Sequence, residues 1–178
     1  MAYYDLNSIL TDAQKVPCTF ELSVPGLGYL GGNTGADVDQ GNKLELPLWL
    51  GEMLAVSKPT GDTSLASMDM PAALGQRVIN ALKADPKSVQ LRAQAQHFYA
   101  LGARMLELFE DDEVVEVLID TFKKRTAEIA DKASNTRNVQ SDGNDFVMGL
   151  DETERQLFRA AHDGGHAVKK WFEASRIT

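Results

Sequence analysis

Apolar residues change their rhythm partway along this chain of 178 residues. Up to about Ser67–Pro71 they come in short runs separated by turn residues, and most of the glycines and prolines fall there. Thr19–Val24 alternates loosely, and Lys43–Leu46 is likewise compatible with a strand. Between them Pro25–Gly41, rich in Gly, Asn and Asp, predicts turns and a mobile loop, while Asp5–Leu10 predicts a brief helical turn.

Past the boundary the spacing becomes helical. Asp69 is placed to cap a helix through Val78, Ile79 and Leu82, stopped by Asp85-Pro86. That pair can start a second helix, with Asp85 as N-cap, Pro86 in the first turn, and Val89, Ala93, Leu101, Met105 and Leu108 at helical intervals. Asp111-Asp112-Glu113 puts negative charge where the next helix dipole favours it, ahead of Val115, Leu118, Ile119, Phe122 and Ile129. A polar loop is expected over Asn135–Asn144. Asp151 with Glu154 then forms a capping pair for a last helix carrying Leu157, Phe158, Ala161, Val168, Trp171 and Phe172. The pattern predicts a mainly α protein: a small N-terminal β-rich (α+β) domain over residues 1–68, followed by a helical-bundle domain over 69–178.

Composition narrows the function classes. A hydrophobic share of 43% suffices for a folded core, and 25% charged residues is ordinary for a globular chain. The net charge of −8 and pI of about 4.9 oppose a phosphate backbone, so strong nucleic-acid binding by this chain alone is not expected. Cys18 is the single cysteine, which excludes an internal disulfide. No apolar run approaches the ~20 residues of a membrane span, and Met1 is followed by neither a basic nor an apolar leader, so an intracellular protein with no membrane partner is expected.

Three motifs invite a chemical reading. Gly26-Leu27-Gly28-Tyr29-Leu30-Gly31 matches a dinucleotide-binding turn, but Gly31-Gly32-Asn33-Thr34-Gly35 cannot supply the helix that must follow; a hairpin with a loop fits better. His162 and His166 have the spacing of a helical zinc site, yet no third ligand is indicated and Gly164-Gly165 weakens the helix that would orient them. Exposed or partner-facing histidines fit better, the glycines allowing a bend or a close helix approach. Cys18, in a strand-like run, reads as a buried inert thiol. Lys123-Lys124-Arg125 reads as the polar face of its helix rather than as an import signal. No catalytic residue, cofactor or metal follows.

The segment Leu44–Leu54 carries the most information. Leu44 and Leu46 share a strand face, Pro47 ends the pairing, and Leu48 opens a short apolar helix with Leu50, Met53 and Leu54 on one stripe and Trp49 beside it. In order along the chain stand Asp5-Leu6-Asn7-Ser8-Ile9-Leu10, Lys15-Val16-Pro17, Pro25-Gly26-Leu27-Gly28, Gly41–Leu50, Ala84-Asp85-Pro86, His97-Phe98-Tyr99-Ala100-Leu101-Gly102, Asp151-Glu152-Thr153-Glu154-Arg155 and Ala174–Thr178. Their order and spacing resemble subunits of the GINS complex of eukaryotic DNA replication, of the Psf-three type. Longer relatives of that type carry a further polar tail.

The resemblance implies a small β-rich domain before a helical one, in a heterotetramer with the Sld-five, Psf-one and Psf-two subunits. That tetramer would join the MCM ring and the Cdc-forty-five protein to form the active replicative helicase, with this subunit hydrolysing nothing and residing in the nucleus. A stand-alone helical adaptor and a nucleotide- or metal-binding enzyme are the competing readings.

By the same analogy, interface or domain-seam duty falls on Leu44, Leu46, Pro47, Leu48, Trp49, Leu50 and Met53, with His97, Phe98 and Tyr99 as a second patch. The residues leave open whether Trp49 faces a partner or the core, and for Phe98 the core reading leads. Trp49→Ala is expected to weaken partner binding by at least ~2 kcal/mol while unfolding the chain less. Paired affinity and urea-denaturation measurements check this; loss of fold first, with affinity intact when folded, would make Trp49 core.

Overall fold

The computed structural model describes residues 4–59, 61–134 and 144–175. The chain divides into two compact units, Met1–Ala72 and Ala73–Thr178. The architecture expected from the pattern, a small sheet-containing part followed by helices, is the one observed.

In the first unit, helix α1 (Leu6–Asp12) is capped by Asp5, whose carboxylate accepts from the Asn7 N–H and the Ser8 hydroxyl. Strands β1 (Lys15–Phe20), β2 (Lys43–Pro47) and β3 (Ala66–Met68) form an antiparallel sheet with β1 central, and helix α2 (Leu48–Val56) follows β2 without a break. Val16, Cys18 and Phe20 alternate inward, with Val16 opposite Leu46 and Phe20 opposite Ala66. Pro17 is tolerated in the central strand because its carbonyl, which accepts from the Asp69 N–H at 2.9 Å, faces the β3 side just where β3 ends. The missing N–H therefore costs the β2 ladder nothing.

Two expectations need correction here. The first strand begins at Lys15 and stops at Phe20; Val24 makes only an isolated bridge to Val38. The following segment is not an open loop, because that bridge and a short 3-10 turn (Gly28–Gly31) brace it. A Cβ on Gly28 would lie 2.5 Å from the Ala36 carbonyl oxygen, so the loop itself uses this glycine.

In the second unit the helices are α3 (Gln76–Ala84), α4 (Leu91–Gln94), α5 (Phe98–Leu108), α6 (Asp112–Ser134), α7 (Asn144–Met148) and α8 (Glu152–Ser175). The long helices α6 and α8 pack together, with α3 and α5 against them, around Ile79, Phe98, Met105, Ile129 and Leu150. Asp111 caps α6 by accepting from the Val114 N–H at 3.1 Å, and the Asp151–Glu154 pair caps α8 as anticipated. The polar loop expected over Asn135–Asn144 lies outside the described residues except for Asn144, which opens α7.

Asp69 caps no helix; its carboxylate accepts from the Thr19 hydroxyl and the Lys43 ammonium, and α3 starts beyond Gly75. The single helix expected from Pro86 to Leu108 is two, α4 and α5, preceded by a turn in which Asp85 accepts from the Lys87 N–H. Arg125 holds the turn before α4, its Nη1 donating to the Pro86 and Val89 carbonyls at 2.8 and 2.9 Å, and α4 ends where Ala95 takes up extended backbone.

Arg125 is also the chief departure from the expected polar face. Lys123 and Lys124 are exposed, whereas Arg125 is 0% exposed, in line with Leu118, Thr121, Ile129 and Ala133. Its Nε and Nη2 grip both oxygens of the fully buried Glu154 at 2.6 and 2.9 Å. The Phe146 ring of α7 lies 4.9 Å from the guanidinium. Glu154 further accepts from the Tyr99 hydroxyl at 3.0 Å and the Asp151 N–H at 3.3 Å.

Removing one partner strands the other charge. Arg125→Met is therefore expected to cost about 3–5 kcal/mol in urea unfolding. Arg125→Met combined with Glu154→Leu should recover part of that, incompletely because Tyr99 and the Asp151 N–H lose their acceptor.

Asp151 gives a pH signature. Burial pushes its carboxyl up to about 6, against the hydrogen bonds from Glu154 and Tyr99 that favour the charged form. Between roughly pH 4 and that value the folded chain holds a proton the unfolded chain has released, so stability rises as pH falls from 7 towards 5. Asp5, Glu113 and Glu128, held low by their partners, act oppositely but only as pH falls through the lower carboxylate range. Asp151→Asn should flatten the slope of the melting midpoint over pH 5–7; an unchanged slope would assign it elsewhere.

Candidate interaction surfaces

None of the three chemical motifs assembles a reaction centre. The glycine turn is closed by Ala36 against Gly28. Burial first, and then the Asp69 charge, push the Cys18 thiol up to about 11, away from nucleophilic reactivity. The His162 and His166 rings stack 6.5 Å apart in α8, and the hollow beside them is also lined by Lys169, a cation where a metal would need a ligand. Among the described residues no three His, Cys, Asp or Glu side chains come together as a metal site requires. Gly164 and Gly165 lie within the continuous α8 and admit no close neighbour: a Cβ on either would meet nothing within 4 Å.

The interface candidates separate into two groups. Leu46, Leu48 and Phe98 are buried core residues, and His97 is buried with its Nε2 meeting no hydrogen-bond partner among the described residues. Leu44, Pro47, Leu50 and Tyr99 are half-buried. Trp49 is 49% exposed, Met53 64%, and Val56, not singled out beforehand, 75%. These last three stand at i, i+4 and i+7 and form one ridge.

Gly51 explains why the ridge points outward. It lies on the opposite side of α2, where a Cβ would come within 2.9 Å of both Cys18 Sγ and Met68 Sδ. Only glycine lets the helix lie this close to the sheet, and the close approach fixes which side faces out.

Tyr99 occupies the rim of a second feature. Its ring meets Phe98 and Phe122 edge to face at 5.6 and 5.2 Å, and burial, then Glu154, push its hydroxyl well above the usual phenol range. Beside it α5 and α6 enclose an apolar groove of about 410 Å³, lined by Tyr99, Ala103, Leu106, Val115, Leu118, Ile119 and Phe122 among others. A third feature is the distal part of α8, where Val168, Trp171 and Phe172 are 54%, 64% and 58% exposed.

The sequence pattern groups Val115, Leu118, Ile119, Phe122 and Ile129 as one amphipathic stripe and gives Val168, Trp171 and Phe172 simply as apolar positions of the last helix. The signal that separates them is a second stripe on α6: Val115, Ile119 and Phe122 are offset from the buried line through Leu118, Thr121, Arg125 and Ile129. On α6 the second stripe lines the open α5–α6 groove while the first is buried in the helical unit.

Known proteins give this geometry a family. Residues 4–56 match the model of the PSF3 N-terminal domain, and residues 73–173 match that of the GINS complex protein helical bundle domain. The chain is 62% identical over 170 residues to the DNA replication complex GINS protein PSF3 of Phaeosphaeria nodorum, covering 96% of this chain and 95% of that one. It is 58% identical to the protein of that name from Aspergillus fumigatus, with 96% of each covered, and 39% identical to that from Schizosaccharomyces pombe, with 96% of this chain and 97% of the relative covered. With both units matched and the likeness running nearly end to end, the chain belongs to the PSF3 family of GINS complex proteins.

Proposed function

We propose that this chain is a non-catalytic structural subunit of a heterotetramer with the Sld-five, Psf-one and Psf-two subunits. The tetramer joins the MCM ring and the Cdc-forty-five protein in the active replicative DNA helicase, for replication initiation and fork progression in the nucleus. The observation that carries the reading, beside family membership, is the open apolar surface of the helical unit: the α5–α6 groove and the Val168, Trp171, Phe172 ridge. Surfaces of this kind are filled by partner side chains in stable assemblies. The negative balance of the chain suits a connector between proteins better than a phosphate-binding surface. Among the described residues no helix is long and apolar enough to cross a membrane.

Co-expression with the three sister subunits tests the proposal. A stable particle with one copy of each is expected, and Trp171→Ala with Phe172→Ala should weaken its assembly by at least ~2 kcal/mol. The melting midpoint of the free chain should hardly move, since both rings are already more than half exposed. A chain that stays alone beside its would-be sisters would instead be a stand-alone helical adaptor.

A further inference from the structure

The helical unit carries two open apolar features of opposite shape. One is the α5–α6 groove, a hollow of about 410 Å³ with the Tyr99 and Phe122 rings in its wall and Lys123 at its edge. The other is the distal part of α8, where residues 163–174 are exposed on every face of the helix. There Trp171 and Phe172 stand edge to face, their ring centroids 4.9 Å apart. This aromatic ridge cannot fill the groove of its own chain. Thr153 lines the groove, and Trp171 lies eighteen residues further along the same unbroken helix, about 27 Å away.

We propose that the free chain binds a second copy of itself, the Trp171–Phe172 pair of one copy entering the α5–α6 groove of the other. Three observations select that occupant. An aromatic pair suits a hollow walled by two other rings, because ring edges can meet ring faces there. A charge match accompanies the shape: Glu173 follows the aromatic pair and Lys123 borders the groove, both exposed and neither in an ion pair among the described residues. The unit is also close to neutral, residues 73–178 carrying seventeen acidic side chains against fifteen basic ones, so two copies meet there almost without net repulsion. The contact joins different patches on the two copies, and the chain supplies both patches itself. Ridge and groove are the surfaces given above to the sister subunits. Self-pairing and assembly therefore exclude one another, a step that rests on reading the chain as an assembly subunit.

Sedimentation equilibrium of the purified full chain across a range of concentrations tests the pairing. The parent should associate as concentration rises. Trp171→Ala with Phe172→Ala removes the ridge, and Ile119→Asp spoils the groove at a position already 49% exposed. Each change should lower the self-association constant about 30-fold. Mixed together, the two variants should associate with each other, since one keeps its groove and the other its ridge. Lys123→Glu should weaken pairing a few-fold, and adding Glu173→Lys to it should restore the parent value. A monomeric parent overturns the proposal, and so does a mixture of the two variants that fails to associate. Ile119→Asp behaving like the parent while the ridge variant stays monomeric would mean that ridge meets ridge, which overturns it as well. Adding the three sister subunits should convert the paired chain into the four-subunit particle. A particle whose copy of the chain still binds a second copy would refute the shared use of the surfaces. Failure of any particle to form would sink the assembly reading, while the measurements on the chain alone still decide the pairing.

Discussion

The helical unit is organised around one buried ion pair, Arg125 with Glu154. Taking both charges out of water costs several kcal/mol per ion, and the pair is tolerable only because nearly every lone pair and proton is used. Arg125 reaches the carboxylate with two nitrogens and the Pro86 and Val89 carbonyls with the third. Glu154 collects Tyr99 and the first turn of α8 as well. The pair therefore ties α6 to α8, fastens the Pro86–Val89 turn, and holds the Tyr99 ring at the rim of the α5–α6 groove. An apolar pair could fill the space, but it would specify none of these three directions.

This interaction also marks where the sequence stopped being readable. The starts of the two long helices were legible because their chemistry is local: Asp111 and the Asp151–Glu154 pair each bind backbone within three residues. Arg125 was not, since a charged residue two places from Lys123 reads as solvated unless its partner, 29 residues on, is known to be buried beside it. Asp69 failed for the same reason, its side chain engaged with Thr19 and Lys43 across the sheet. Strand β3 was missed because three residues are too few to show alternation.

The interaction surfaces were half legible. The helical spacing of Trp49 and Met53 can be read directly, but which side of α2 meets the sheet is decided by Gly51, whose role appears only when Cys18 and Met68 stand against it. Leu46, Leu48 and Phe98 share the composition of the ridge yet lie in the core. Periodicity finds an apolar face without telling a face the chain covers from one it leaves open. For α6 the distinction lay in counting stripes, and for α8 in noticing that the apolar residues continue beyond the reach of α6.

The glycine pair of α8 bears on what happens to a copy without its complex. Each glycine costs a helix interior about 1 kcal/mol relative to alanine, and neither Gly164 nor Gly165 gains a tertiary contact to offset it. The helix is thus least self-sufficient just before Val168, Trp171 and Phe172, the stretch where it is most apolar and most open. Opening this end of α8 therefore costs less than opening the part packed on α6, and with no partner over Trp171 and Phe172 it would offer the kind of apolar segment that chaperones and proteases capture.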